Sequence, residues 1–402
     1  MVSAILGDII GSPYEKSENK EKAKDILLID GGSHITKYSV LSLAVANGLL
    51  KAYGNSKKTT DSVKEDLLKA GNEYANKLDF GDEIKAWFDL RGKKVSRKTS
   101  CTAACMVSSV AYVYNSLRYV ERYAEIVAKT INIHPDSVKG AKAVAAATFL
   151  GRQGVGKEYI KDYITDTYYY DLTHTVEELR ASYTATNSCN ETFVAAFTAY
   201  MEGDDFEKVV RLAMSIGGNS NEVAIMAATM AGSIYEIKKD LIHLGHAKLD
   251  TVEKALLDEY DEKLTKLKKS RKDKFDKILS YKGFFDKKAK TEWYAPQVEG
   301  NESPFPFPVY TEEITYLENL VLDKDFGDFN YVDTLERYDL TNEISQFKDA
   351  VKLANPYLLK AILTAVVRQE RFVDGSIADA VRFGVVSEAL DILSKKLTDK
   401  MY

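Results

Sequence analysis

Several things are scarce in this 402-residue sequence, and each scarcity excludes something. Three cysteines, Cys101, Cys105 and Cys189, are too few, and odd in number, for a disulfide framework. With no secretory leader in view, they fit a reducing, cytoplasmic setting. Cys101 and Cys105 have no second cysteine pair or histidine cluster beside them, so core packing suits them better than a metal site. Only seven prolines interrupt the chain, which leaves long stretches free to be helical. No apolar run is long enough to span a membrane without polar interruption, so no membrane partner is expected. The net charge of −5 gives no broad basic footprint, which makes nucleic acid an unlikely partner.

What is present is helical periodicity. Hydrophobic residues make up 45% and charged residues 29%, an ordinary globular balance, and 402 residues allow two domains. Residues 216–237, IGGNSNEVAIMAATMAGSIYEI, hold the most pronounced design. Gly217-Gly218 turns sharply, Asn219-Ser220-Asn221 offers helix caps at Ser220 or Asn221, and a small-residue apolar run follows. The free N–H groups at such a helix start favour an anion such as phosphate. Residues 34–50, HITKYSVLSLAVANGLL, repeat the plan, with a polar entry at Thr36, Lys37, Tyr38 and Ser39. Residues 4–15, AILGDIIGSPYE, place Gly7 and Gly11 on one helix face for close packing, with Asp8 and Glu15 near its end.

Further helices are expected over 37–53, 118–130, 138–151, 191–201, 204–214 and 251–270, with two amphipathic helices within 59–90. The basic loop RGKKVSRKT, 91–99, is either a solvated turn or a phosphate-facing rim. In INIHPDSVKG, 131–140, Asp136 or Ser137 is positioned to cap the next helix, and His134 before proline reads as structural first. Residues 261–290 carry mixed charges at helical spacing. Residues 295–309, rich in proline, read as a linker.

These pieces together resemble the ADP-ribosylglycohydrolase family. Its first motif, G-D-x-x-G-S-x-x-E, is kept from Gly7 to Glu15. The frame D-L-x-x-T-x-x-E-x-R-x-x-Y is kept at Asp171, Leu172, Thr175, Glu178, Arg180 and Tyr183, and the H-P of H-x-H-P at His134-Pro135. The resemblance covers about residues 1–270. It implies an all-α, ADP-ribosylglycohydrolase-like helical bundle and the removal of ADP-ribose with two magnesium ions. Residues 310–402, around Arg368, Glu370, Arg371, Asp374 and Gly375, resemble a small uncharacterised bacterial domain and imply a second α-helical unit. The expected organisation is 1–270, a charged helix and linker over 271–309, and 310–402.

The departures from the family bear on chemistry. For T-D-D-T this chain has Thr36, Lys37, Tyr38, Ser39. For G-G-D-x-D-T it has Gly217, Gly218, Asn219, Ser220, Asn221, Glu222. Four metal-binding aspartates are lost: one ammonium, Lys37, stands in an aspartate's place, and one carboxylate, Glu222, in a threonine's. Magnesium requires anionic oxygen ligands, so no di-metal centre and no cofactor is expected. A single ion on Thr36, Asn219 and Glu222 is the most that is left open. The glycine loop S-x-G-N-G-x-x-M-R is also eroded, to residues including Thr102, Ala103 and Ala104.

Three functions follow. The retained loops, with His134 and Tyr183 near the site and Glu15 kept, suit a non-catalytic binder of an ADP-ribose-type molecule or ADP-ribosylated protein. Lys37 then either supplies a point charge to a diphosphate or pairs with Glu222. A metal-independent hydrolase would draw on Glu15 first, then Asp8 and Glu222. A scaffold would meet a protein partner through 271–402.

Overall fold

Glycine and alanine decide how closely the helices of the first unit approach. The computed structural model describes residues 1–14, 27–294 and 306–402. The described chain is helical apart from one two-stranded pair. It divides into two units, Met1–Tyr114 with Val120–Thr265, and Asn115–Tyr119 with Lys266–Tyr402.

The first unit runs α1 (Val2–Gly11), α2 (Lys37–Lys51), α3 (Thr59–Tyr74), α4 (Gly81–Asp89), α5 (Thr102–Met106), α6 (Val110–Val113), α7 (Leu117–Ile131) and α8 (Pro135–Arg152). It continues with α9 (Lys157–Tyr168), α10 (Val176–Ser182), α11 (Cys189–Glu202), α12 (Phe206–Ile216), α13 (Ser220–Ile234), α14 (Lys239–His246) and the start of α15 (Thr251–Ser280). The core is built around α13, which packs on α1, α8, α11 and α12. A Cβ on Gly7 would lie 2.7 Å from the Ala224 carbonyl oxygen, and one on Gly11 would lie 2.6 Å from Asn221 Cα. The two glycines therefore let α1 touch the backbone of α13, as their four-residue spacing implies. Cys101, Cys105 and Cys189 are free thiols buried in this core.

Two expected caps are displaced. α13 begins after Asn219, which makes no side-chain cap, and not at Ser220 or Asn221. Gly217 and Gly218, at φ +80° and +67°, carry the chain into it. α8 begins after His134, whose Nδ1 accepts from the Asp136 N–H at 3.2 Å, with Pro135 at the first helical position. Asp136 and Ser137 already lie inside that helix. The kept frame around Thr175 is a capping box: Thr175 and Glu178 exchange side-chain-to-backbone hydrogen bonds at the start of α10.

α15 continues through the mixed-charge segment to Ser280, with Lys272–Asp276 and Lys269–Asp273 pairs on its exposed face. In the second unit α16 (Lys282–Asp286) precedes an antiparallel pair, β1 (Glu292–Tyr294) and β2 (Phe307–Val309), with Trp293 opposite Pro308. The linker expected at 295–309 thus ends in a strand, and residues 295–305 lie outside the described ones. α17 (Glu312–Val321), α18 (Tyr331–Arg337), α19 (Ile344–Leu353), α20 (Pro356–Gln369), α21 (Ser376–Arg382) and α22 (Val385–Lys396) follow. α20 is buried from Pro356 to Val367 and forms the centre of this unit's core. Glu370 accepts from the N–H groups of Gly375 and Ile377 at 2.7 and 2.8 Å, tying down the turn into α21. Within the Arg368–Arg371 cluster the carboxylate is thus structural, and Arg368 lies over the Phe329 ring at 5.6 Å from its centroid. Among the described residues no helix is long and apolar enough to cross a membrane.

Candidate functional site

Two hydrogen-bonded knots occupy the place where the starts of α2 and α13 meet α1. The first is centred on Asp8. A helix start leaves its first N–H groups without intrahelical acceptors. Thr36, extended at φ −118° and ψ −173°, caps α2 by accepting from the Tyr38 N–H at 3.3 Å. Asp8, reaching over from α1, accepts from the N–H groups of Thr36 and Ser39 at 2.8 and 3.1 Å. The Thr36 and Ser39 hydroxyls donate to the same carboxylate at 2.6 and 2.5 Å. Burial pushes the Asp8 carboxyl up, and the hydrogen bonds from Ser39 and Thr36 pull it back down. Asn221 adds α13 to the knot, its amide donating to Thr36 Oγ1 at 3.5 Å.

The second knot is centred on Glu222. Tyr38 donates its hydroxyl to Glu222 Oε1 at 2.5 Å, and the Asn219 amide donates to Oε2 at 2.7 Å. Asn219 also exchanges hydrogen bonds with the backbone of Thr186, at 2.7 and 2.9 Å, which fixes its orientation. Burial, and then the neighbouring Glu222 carboxylate, hold the Tyr38 hydroxyl well above its ordinary range, so it stays a donor. Lys37 lies over the Tyr38 ring at 5.0 Å from its centroid and makes no ion pair among the described residues.

Above these knots opens a cleft of about 1380 Å3. Lys37, Tyr38, Thr102, Asn219, Asn221 and Glu222 line it from one side. The other side is α4 and the basic loop after it, including Glu83, Trp87 and residues 93–98. Five cations and three carboxylates face this cleft: Lys37, Lys93, Lys94, Arg97 and Lys98 against Asp82, Glu83 and Glu222. Glu83 is half-buried, its Oε1 has no hydrogen-bond partner, and burial raises its carboxyl against the pull of Lys98 and Lys37.

Not every expected residue reaches the cleft. Asp8, Thr36, Ser39 and Ser220 do not line it, and neither does the Gly217-Gly218 turn. Tyr183 is a core residue: its hydroxyl donates to Thr192 Oγ1 at 3.0 Å, and its ring edge would lie 2.6 Å from a Cβ on Gly218. His134 caps α8 and does not line the cleft. Glu15 lies outside the described residues. Asp82, Glu83 and Thr186 were not anticipated, since no motif or periodicity marks them.

Residues 1–273, more than half of the chain, match the model of the ADP-ribosylglycohydrolase family. The chain belongs to that family. Residues 271–399 match a family of unknown function (DUF6508). An uncharacterized protein of Archaeoglobus fulgidus is 24% identical over 275 residues, covering 57% of this chain and 84% of that protein. A solved chain described as an ADP-ribosylglycohydrolase-related protein complex is similar at 17% identity and a TM-score of 0.42, covering 61% of this chain and 94% of that one. That likeness is too loose to say anything about the site.

The magnesium pair expected of an ADP-ribosylglycohydrolase does not fit the donors of this one. Hard cations need carboxylate oxygens with free lone pairs. Each Glu222 oxygen already takes one donor, from Tyr38 and Asn219, and Asp8 accepts four hydrogen bonds, so neither carboxylate offers a cation its full set of lone pairs. Lys37 adds a positive charge to the same wall. Among the described residues no group of three or more His, Cys, Asp or Glu is arranged to hold a metal. The single ion left open on Thr36, Asn219 and Glu222 would have to displace those hydrogen bonds.

Proposed function

We propose that this ADP-ribosylglycohydrolase-family protein binds an ADP-ribose-type ligand in the cleft without turning it over efficiently, as a sensor or a sponge for an ADP-ribosyl compound. One observation carries the reading. The polar groups standing at the family's metal positions are tied to one another through Tyr38, Glu222 and Asn219, while the cleft beside them stays open. Chemistry is disabled there without filling the space.

Two features support binding of a diphosphate. The first-turn N–H groups of Ser220, Asn221 and Glu222 in α13 have no acceptor among the described residues. Lys37, which makes no ion pair among the described residues, brings its ammonium to the same side of the cleft. Metal-free hydrolysis through Glu222 is disfavoured because that carboxylate is held by two donors, while Glu15, the first choice for such a reaction, lies outside the described residues.

The test is calorimetry of the full chain with ADP-ribose, paired with a chromatographic assay for ADP-ribose released from an ADP-ribosylated peptide. Saturable one-to-one binding is expected, weakened at least about tenfold by Lys37→Glu, with no release above the uncatalysed rate. Absence of ADP-ribose binding to the wild type would overturn the reading. So would metal-independent release.

A further inference from the structure

Resting on that reading, the cleft can be read one step further from its outer wall. Lys93, Lys94, Arg97 and Lys98 place four cations within six residues, all exposed and all lining the cleft. None makes an ion pair among the described residues. Several other exposed lysines of the first unit sit on carboxylates a helical turn away, as in Lys69–Glu65, Lys77–Glu73 and Lys208–Asp204.

The loop is not a slack turn. Arg91 and Gly92, at φ +50° and +67°, reverse the chain after α4, and the Gly92 N–H donates to the Trp87 carbonyl at 2.8 Å. Ser96 then pairs with the segment 131–133: its N–H donates to the Ile131 carbonyl and its carbonyl accepts from Ile133, both at 2.9 Å. Asn132 donates its amide to the Lys98 carbonyl at 2.9 Å. Trp87 anchors the base of the wall by donating to the Thr130 carbonyl at 2.9 Å. Like charges are thus held close together on a pinned backbone, with Asp82 and Glu83 on the same side of the cleft to offset only two of the four. That arrangement is unfavourable by itself and is relieved by an anion carrying more than one charge. An Arg fork beside lysine heads suits a phosphate.

Size points the same way. A small-ligand pocket runs to about 300–1000 Å3, and this cleft is about 1380 Å3. The diphosphate reading uses Lys37 and the start of α13 on one side. It leaves the loop across the cleft unassigned.

We infer that residues 93–98 form a subsite for a phosphate additional to the diphosphate, so that the preferred ligand is an ADP-ribosyl compound bearing a further phosphate ester. The phosphate belongs either to a phosphorylated nucleotide or to the phosphate-linked end of a nucleic-acid strand. Both present the same group to the loop.

Calorimetry of the full chain with three probes separates these sources: ADP-ribose, ADP-ribose 2′-phosphate, and an oligonucleotide ADP-ribosylated on its 5′-phosphate. At least one of the two phosphate-bearing probes is expected to bind tenfold or more tightly than ADP-ribose. That ratio should shrink as salt rises. In Arg97→Gln/Lys98→Gln the ratio should fall to within twofold of one. Both residues are exposed, and Asn132 holds Lys98 by its backbone, so the variant keeps the loop's anchors. A ratio near one in the wild type, or a ratio the double variant does not move, overturns this inference and leaves the ADP-ribose reading intact. Binding of a phosphate-bearing probe alone, lost in the variant, sustains the subsite and overturns the ADP-ribose reading. Failure of all three probes overturns both. An acidic ADP-ribosylated peptide that outcompetes both phosphate probes also overturns the subsite, because it would assign the loop to carboxylates.

Discussion

The Tyr38 hydroxyl donates to Glu222 Oε1 across 2.5 Å, joining two helix starts that are 184 residues apart in sequence. Family aspartates would crowd negative charge here, whereas this pair neutralises its own polarity. Removing the hydroxyl leaves a half-buried carboxylate oxygen with one donor fewer. Tyr38→Phe is therefore expected to lower stability by about 1–3 kcal/mol, read as a drop in the thermal midpoint, with the fold retained.

The absent aspartates give a prediction by restoration. Lys37→Asp, Tyr38→Asp, Ser39→Thr, Asn219→Asp, Asn221→Asp and Glu222→Thr together rebuild the two family motifs. The combined variant should be destabilised without metal, because its carboxylates repel one another. It should gain several degrees of thermal stability on adding millimolar magnesium. The wild type should not move. A magnesium-dependent shift of equal size in the wild type would mean that its oxygens are free to ligate after all.

Close helix packing is the next target. In Gly7→Ala a Cβ would meet the Ala224 carbonyl oxygen at 2.7 Å and Ala228 Cβ at 2.8 Å, with backbone on one side and no flexible neighbour to move. Overpacking of this kind costs about 1–3 kcal/mol. Gly31, with nothing within 4 Å of its would-be Cβ, is the control. Gly31→Ala should be close to neutral in the same urea titration, and equal losses in the two variants would contradict the packing account.

The contact just tested was legible before any coordinates, because two glycines four apart on an apolar run report directly on helix approach. So was the Gly217-Gly218 turn, and so was the loss of the metal aspartates, a matter of residue identity at matched positions. The hydrogen-bond partners were not. Asp8 caps α2 from 28 residues away, and Asn219 orients itself on Thr186. Neither pairing leaves a periodic or composition signal. The α13 start moved by one or two residues for a related reason: Asn219 is drawn to Thr186 and Glu222 and is not spent on its own helix. The wall carrying Glu83 came from an amphipathic helix that looked like ordinary surface. His134 and Tyr183 matched the family's motifs in sequence, yet one caps a helix and the other fills the core.

Asp8 offers a sharper test of the first knot. It accepts two backbone N–H groups and two hydroxyls, and an amide has one acceptor oxygen in place of two. In Asp8→Asn the N–H groups of Thr36 and Ser39 keep the one oxygen they already share but lose its charge, and the Thr36 hydroxyl loses the second oxygen as its acceptor. A loss of about 1–3 kcal/mol is expected. Amide exchange at Thr36 and Ser39 should accelerate more than in the middle of α2. Uniform acceleration along α2 would show that Asp8 does not act as its cap.

The second unit carries a titration of its own. Asp328 is buried, accepts from the Thr334 hydroxyl at 2.6 Å and from the Asn330 N–H at 2.9 Å, and its carboxyl is pushed up to about 6, chiefly by burial. An acid whose folded value lies above its unfolded one favours the protonated form in the fold. The stability it contributes is therefore fully present below the unfolded value near 3.8, and is lost as pH rises through about 6. Chemical denaturation of the full chain, followed by amide exchange in α20, should show this unit about 1–3 kcal/mol more resistant at pH 4 than at pH 7.5 from this residue alone. Asp328→Asn keeps a neutral acceptor for Thr334 and removes the proton, so it should flatten that part of the pH profile. If the variant retains the full pH dependence, the titrating group lies elsewhere.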